Sequence, residues 1–521
     1  MPRPRPRFAR SLAIILATCM TLLVSCSTGS DDSGGASGGT GGEKVLRFVS
    51  VYPANTTDAQ VVHTAFILNS GAVESLVGLD PDTLQLYPWL AESWETPDAQ
   101  HWTFQIRQGV TFHNGNPLNA EAVRASLAHA LEANPGVVAA LKIQDMQVVD
   151  DHTLTITTES VYPALISNLV HYNTVITDVT DSADVPVGTG AFKFASFDPA
   201  GEAVLVRNTD YWDGRAKLDK VIMTANEDSN ARVLALRAGD ADIIYRPSLE
   251  SIQALENEPG VTVESVPGTR VYHLQFNYTG QNAELWNNRE FRRGIDALMD
   301  RQAVIDGVMA GQGTVAFNPF PGEWPFSPTP LDHPSGTDAA LKHFEAAGLQ
   351  VNDGKVSKDG QPLNLKIVTY IARAELPLIA QLLRDSAAKV GITMDIQVAE
   401  NIDEYLPRND FDVATYSVLT ISRGDGAYFL NGAFGKGGAQ NHGRLADPEL
   451  LSMLDAYNTE IDAAARTQKA REMGTLIEAQ QFNSYLVVPN ETAAYRDVVS
   501  GWITPGNEFE FQMITKDLDI A

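Results

Sequence analysis

Cysteine is nearly absent: the 521 residues hold two, Cys19 and Cys26, both within the first 26. The rest of the chain can form neither a disulfide nor a thiolate-ligated metal site. Basic residues are scarce as well, 38 Lys and Arg against 65 Asp and Glu, a formal charge of -27. Such a surface repels phosphate backbones and acidic headgroups, so nucleic acid is excluded as a partner. From Val45 onward no apolar run reaches the length of a transmembrane helix, and no repeat period is present. Also missing are a P-loop, a G-x-G-x-x-G, a G-x-S-x-G elbow, an H-E-x-x-H and an EF-hand loop. The ten His are scattered without metal-ligand spacing. No cofactor is expected, and an enzyme reading has no motif to stand on.

At the N-terminus, Arg3, Arg5, Arg7 and Arg10 precede a short, mostly apolar run from Ser11 to Val24, the pattern of a signal peptide over 1–25. It ends in Leu23-Val24-Ser25-Cys26, which resembles the bacterial lipobox and implies diacylglyceryl transfer to Cys26. Leu16-Ala17-Thr18-Cys19 is a weaker copy, because Thr is atypical before the modified Cys. The alternative is an ordinary secretory signal with a chance Cys. Residues 26–44 are the expected lipidated Cys and linker. Ser27 to Gly42 is Gly, Ser, Thr and Asp with one Ala, a flexible tether with a reach of about 20 to 24 Å. Removing 1–25 takes four Arg and no acid, so electrostatics cannot hold the mature chain to a membrane, whereas two acyl chains can. The expected place is extracytoplasmic, anchored to the cell membrane as a lipoprotein.

The length suits about three structural units. Strand and helix signals alternate, which predicts a mixed α/β architecture. Trp102, Phe104 and Ile106 alternate with polar residues, and the turns at Gln108-Gly109 and His113-Asn114-Gly115 predict a hairpin through Val110 and Phe112. Asn119 is expected to cap a helix stacking Val123, Leu127 and Leu131. Leu363 to Tyr370, Leu376 to Val390 and Ile392 to Val398 read as a βαβ unit closed at Gly391. Ala231 to Ala238 reads as a helix stopping at Gly239 before a strand from Asp242 to Tyr245, and Arg289 to Met309 as one amphipathic helix. Open α/β sheets leave a crevice at the carboxyl ends of their strands, so two facing lobes would enclose a ligand.

Five ordered segments carry a resemblance. They are Val73-Glu74-Ser75-Leu76-Val77-Gly78-Leu79-Asp80 through Trp94, and Phe112-His113-Asn114-Gly115 through Glu121. Then come Pro186-Val187-Gly188-Thr189-Gly190 through Phe194, Arg207-Asn208 with Tyr211-Trp212, and Leu236-Arg237-Ala238-Gly239-Asp240 through Ile243. In these the chain resembles the family 5 extracellular solute-binding proteins, the peptide and nickel receptors of ABC importers, from Val45 to the end. The resemblance implies an α/β, two-lobed periplasmic-binding-protein-like fold of type II with an extra inserted domain. Lobe I would be 45–80, 186–270 and 497–521, the inserted domain 81–185 and lobe II 271–496. It implies a monomeric receptor that closes around a small peptide or metal-chelate ligand and docks on an ABC permease, touching the membrane only through its anchor.

The resemblance also points to the cleft. Where peptide receptors carry a Trp and an Asp for the peptide's amino group, this chain has Leu419 and Ser422, beside Arg423, a guanidinium suited to a carboxylate. The alternative is an internal Arg423 to Asp425 pair facing solvent. His442 lies near where the nickel branch places a metal-contacting His, so it is the metal candidate, only through a bound chelate. That branch's Arg and Trp beyond the capped helix are replaced by Asn134-Pro135-Gly136-Val137, and its cleft Arg falls near His171, which could donate instead or simply be a satisfied surface residue. Tyr52, Tyr172, Tyr416, Asp425 and Tyr428 complete the candidate ligand-binding set, with core packing as the alternative for each Tyr. A lipid-anchored hydrolase and a non-transport scaffold remain as other classes.

Overall fold

The structure, a computed structural model, describes residues 42–181, 184–421 and 423–521. The expected signal peptide, Cys19, Cys26, the tether up to Gly41, and Ser422 lie outside the described residues. Eleven strands set the frame: β1 (Val45–Ser50), β2 (Phe192–Phe197), β3 (Ala203–Arg207), β4 (Lys220–Ala225), β5 (Ile243–Tyr245), β6 (Val261–Pro267), β7 (Arg270–Phe276), β8 (Asn364–Tyr370), β9 (Thr393–Ala399), β10 (Val413–Leu419) and β11 (Asn483–Arg496). They belong to one twelve-stranded sheet whose path runs β9-β8-β10-β7-β11-β5-β1-β4-β3-β2, while β6 and Gly313–Val315 also pair with β11. Central strands such as β5 are buried on both faces, which is why Ile243, Ile244 and Tyr245 are a continuous apolar run.

The sheet has two halves joined at β11. Over Asn483 to Val487 this strand pairs with β7, and over Asn490 to Arg496 it pairs with β5 and β6. The expected boundary at 496 thus falls at the end of a strand whose second half already pairs with β5 and β6. Pro489 sits at the switch, where a missing N–H is tolerated because the ladder changes partner. The second crossing, Gly268-Thr269 between β6 and β7, touches the first: Gly268 N–H donates to the Pro489 carbonyl at 3.1 Å. A Cβ on Gly268 would lie 2.5 Å from that same oxygen, so the close approach requires glycine.

The βαβ unit forms as the periodicity predicts. β8 and β9 pair in parallel from Asn364 opposite Thr393, joined by the helix Glu375–Lys389. Ser229–Ala238 is helical and Gly239 closes it in the left-handed conformation. The helix Ala120–Ala133 starts at Asn119, whose side chain accepts the Ala122 N–H at 2.9 Å. It buries Val123, Leu127 and Ala130, and Leu131 is only partly covered.

Two expectations are corrected. His101–Ile106 does not pair with Val110 to Phe112, because Ala91–Glu95 and Thr153–Thr158 occupy its two edges in a separate four-stranded sheet. Val110 and Phe112 are core residues of a loop instead. Arg289 to Met309 is two helices, Arg289–Ala297 and Arg301–Gly307, because Asp300 caps the second through the Ala303 N–H.

Candidate functional site

Arg423 stands in the loop between β10 and the helix Ala427–Phe434, and only 5% of it is exposed. Its Nη1 donates to the Asn168 side-chain carbonyl, its Nε lies 3.5 Å from Glu510 Oε1, and its guanidinium sits 4.3 Å over the Tyr428 ring. Asn168 and Glu510 come from distant stretches of chain, while Tyr428 lies five residues on. The next residue, Gly424, has φ +66°, and a Cβ there would lie 2.2 Å from the Leu84 carbonyl. The loop carrying Arg423 is thereby pressed against the Val77 to Pro88 hairpin.

Glu510 is buried, and its Oε2 has no hydrogen-bond partner among the described residues. Burial, opposed by Arg423, pushes its pKa up to about 7. His171 opens the turn Tyr172–Thr174 by accepting the Asn173 N–H at 3.3 Å, and its ring is 4.1 Å from that of Tyr172. Burial and then Arg423 hold the His171 pKa well below the usual imidazole range, so the ring is neutral. Tyr172 is raised to about 12 by burial and by Glu510, and its ring is 6.0 Å from Phe509. Tyr52 lines a cavity of about 220 Å³ with His63, Phe66, Tyr245, Glu508 and Phe509.

Asp425 does not pair with Arg423. Its oxygens take Arg466 at 2.9 Å, the Tyr457 hydroxyl at 2.8 Å and the Ala427 N–H at 2.6 Å. Burial works against the charge, yet Arg466 holds the carboxyl below its ordinary pKa. The pairing left open from sequence is therefore corrected: Arg466 is the stronger partner for Asp425, and Arg423 points to Asn168 and Glu510. His442 forms another group. Its Nε2 is 3.4 Å from the Tyr416 hydroxyl and 3.6 Å from Asp403, and Tyr416 donates to Asp403 at 2.8 Å. Burial lowers the His442 pKa, leaving a neutral imidazole. Arg423, Tyr428, His171 and Tyr172 thus gather at one point, and His442 with Tyr416 at a second.

Sequence reasoning missed Asn168, Glu510 and the charges at the crossing. Arg246 makes two bidentate forks, to Glu491 and Glu508 at 2.6 to 2.9 Å. Arg270, the first residue of β7, donates to Ser417 at 3.1 Å, while its buried Nε has no partner among the described residues. Burial, reinforced by Arg373, lowers its pKa. A signal for the acids existed in Asn507-Glu508-Phe509-Glu510-Phe511, since in extended chain residues two apart share a face. Among the described residues no group of three or more His, Cys, Asp or Glu could hold a metal ion.

Residues 85–441 match the model of the bacterial extracellular solute-binding proteins, family 5. The nickel-binding protein NikA of Staphylococcus aureus is 30% identical over 458 residues, 87% of this chain and 90% of that protein. The crystal structure of a nickel ABC transporter protein from Bacillus halodurans is 39% identical and superposes with a TM-score of 0.83, over 92% of this chain and all of that one. That of Staphylococcus aureus NikA with Ni(L-His)2 is 28% identical, with a TM-score of 0.75 over 92% of this chain and all of that one.

Proposed function

The chain belongs to the family 5 extracellular solute-binding proteins, receptors of ABC importers rather than enzymes, and we propose that its solute is a small nickel-type chelate held by carboxylate at Arg423. The observation that carries this reading is a buried guanidinium bound by a neutral amide and by a carboxylate too distant for a good charged hydrogen bond. A solute carboxylate can take the remaining N–H groups of that fork. Arg270, with a buried N–H unsatisfied, offers a second cation for another carboxylate. His442, neutral and beside Tyr416, is suited to approach a metal already carried by the chelator. The two nickel receptors named above support this over a free peptide.

The working domains for this reading are lobe I over 45–80, 186–270 and 497–521, an inserted domain over 81–185, and lobe II over 271–496. The receptor would act as a monomer, tethered through lipidated Cys26. Cys26→Ala should move the protein from the membrane fraction to the soluble one, and retention there would overturn the anchor assignment. For the solute, calorimetry of nickel with L-histidine against metal-free di- and tripeptides separates the candidates. A charged hydrogen bond in a closed cleft contributes about 1.5 to 3 kcal/mol, so Arg423→Ala should weaken chelate binding roughly tenfold to a hundredfold. Tight binding of metal-free peptides, indifferent to both Arg423 and His442, would return the protein to the peptide-receiving branch.

A further inference from the structure

We propose that the cavity between the Val77 to Pro88 hairpin and the C-terminal stretch from Gly501 to Asp517 is a second binding site, separate from Arg423, for a primary alkylammonium. The cavity has a volume of about 280 Å³, and Arg423, Tyr428, His171 and His442 do not line it.

At its floor lies Glu74, a fully buried carboxylate. Its Oε1 accepts the Trp89 indole N–H at 3.0 Å and the Tyr211 hydroxyl at 2.8 Å, and its Oε2 accepts the Thr189 hydroxyl at 2.6 Å and the Trp212 indole N–H at 3.1 Å. All four donors are neutral. Such hydrogen bonds spread the charge without cancelling it, and burial still pushes the Glu74 pKa up against them. No Lys, Arg or His pairs with Glu74 among the described residues. The rest of the lining has the same sign. Asp213, Glu510 and Asp517 stand with Glu74 against Lys516 alone, and Lys516 is already held by Asp213 at 2.7 Å. The Tyr87 hydroxyl responds to that field: burial first, then Asp80, Glu74 and Asp213, raise its pKa.

Two further observations point to an occupant rather than to a charged wall. Glu510 is buried and lines the cavity, and its Oε2 has no hydrogen-bond partner among the described residues. Buried acceptors in folded proteins are paired, so an N–H offered from the cavity would complete this one. The second observation is aromatic. Tyr87 and Trp89 both line the cavity and meet edge to face with ring centres 5.7 Å apart, and ring faces attract cations. Gly78 keeps Tyr87 in place, since a Cβ there would lie 2.3 Å from the ring. Tyr87 and Ile503 are exposed and stand at the mouth, while Leu68, Phe511 and Met513 are buried and give an alkyl chain apolar contact. A metal ion does not suit the same space, because no group of three or more His, Cys, Asp or Glu among the described residues could hold one.

Calorimetry of the whole mature protein with n-butylammonium, 1-butanol and tetramethylammonium tests the site. Wild type should bind n-butylammonium about tenfold or more tightly than 1-butanol, which has no charge, or tetramethylammonium, which has the charge but no N–H. Glu510→Gln should weaken n-butylammonium by about tenfold, the loss of one charged hydrogen bond. Tyr87→Ala, at an exposed position that the fold tolerates, should weaken it by about threefold through the lost ring face. That variant and the wild-type comparison of probes stand even if Glu510→Gln does not fold. Failure of n-butylammonium to bind, or equal affinity for the three probes, overturns the proposal. So does an affinity that Glu510→Gln leaves unchanged. A loss in Glu510→Gln with none in Tyr87→Ala would place the cation elsewhere beside Glu510 and overturn it as well.

Discussion

His333 shows how a single side chain can tie stability to pH. Its Nε2 is 2.9 Å from Glu478 and its Nδ1 3.5 Å from Asp296, while Arg301 pairs with the same Asp296 at 2.6 Å. Burial alone would lower its pKa, but the hydrogen bonds its ring donates to the two carboxylates outweigh it and raise the value to about 9. A His whose folded pKa lies above the unfolded value of 6.5 contributes stability that is full below 6.5 and is lost as pH rises through about 9. The contribution is on the order of 2 kcal/mol. Urea unfolding of wild type should therefore show stability falling between pH 6.5 and 9, and His333→Gln should be less stable below pH 6.5 and flatter above it. Parallel profiles for the two proteins would mean that His333 is neutral in the fold. The sequence offered no hint of this network, because its partners lie 37 and 145 positions away. Arg423 is different: its type and its neighbours drew attention, yet Asn168 and Glu510 became partners only through folding across 255 and 87 positions.

Elements with local signals were legible, and elements defined by pairing were not. The unit from Asn364 to Ala399 could be read directly, since alternation, a helical apolar face and a closing glycine all lie within 36 consecutive residues. The misread hairpin after Ile106 failed for a complementary reason. Alternation identifies a strand and its buried face, but the partner is set by tertiary contacts, and Thr153–Thr158 lies about fifty residues away. The single helix expected over Arg289 to Met309 failed at Asp300, where a side chain good at capping competes with helix continuation. β11 was the least visible element. Its fourteen residues include Pro489, which argues against a long central strand in a sequence reading. It is tolerated because this strand changes partners at that position. The two halves of the sheet therefore meet at a point where the sequence looks like an interruption.

At the scale of the whole molecule, the two halves of the sheet are joined at two neighbouring crossings, Gly268-Thr269 and Pro489, linked by the 3.1 Å hydrogen bond between Gly268 and Pro489. Adjacent crossings of this kind define an axis about which one half can turn on the other. Arg423 reaches Asn168 and Glu510, and Gly424 rests on the backbone at Leu84. The Glu510 contact is long and the Asn168 partner is neutral. On the proposed reading, a solute carboxylate on Arg423 would add a charged partner there, and binding energy would then favour closure. Small-angle scattering of the protein freed of solute should give a larger radius of gyration than the protein saturated with nickel and L-histidine. Saturation at a hundred times Kd should also raise stability by about 2.7 kcal/mol through mass action, seen as a higher Tm. On that reading Arg423→Ala should keep the larger radius at the same chelate concentration, because the group proposed to take the solute carboxylate is gone. An identical radius for free and saturated wild type, with binding confirmed by the Tm shift, would establish a rigid cleft and place the energy of recognition in contacts that form without turning about the Gly268 and Pro489 crossings.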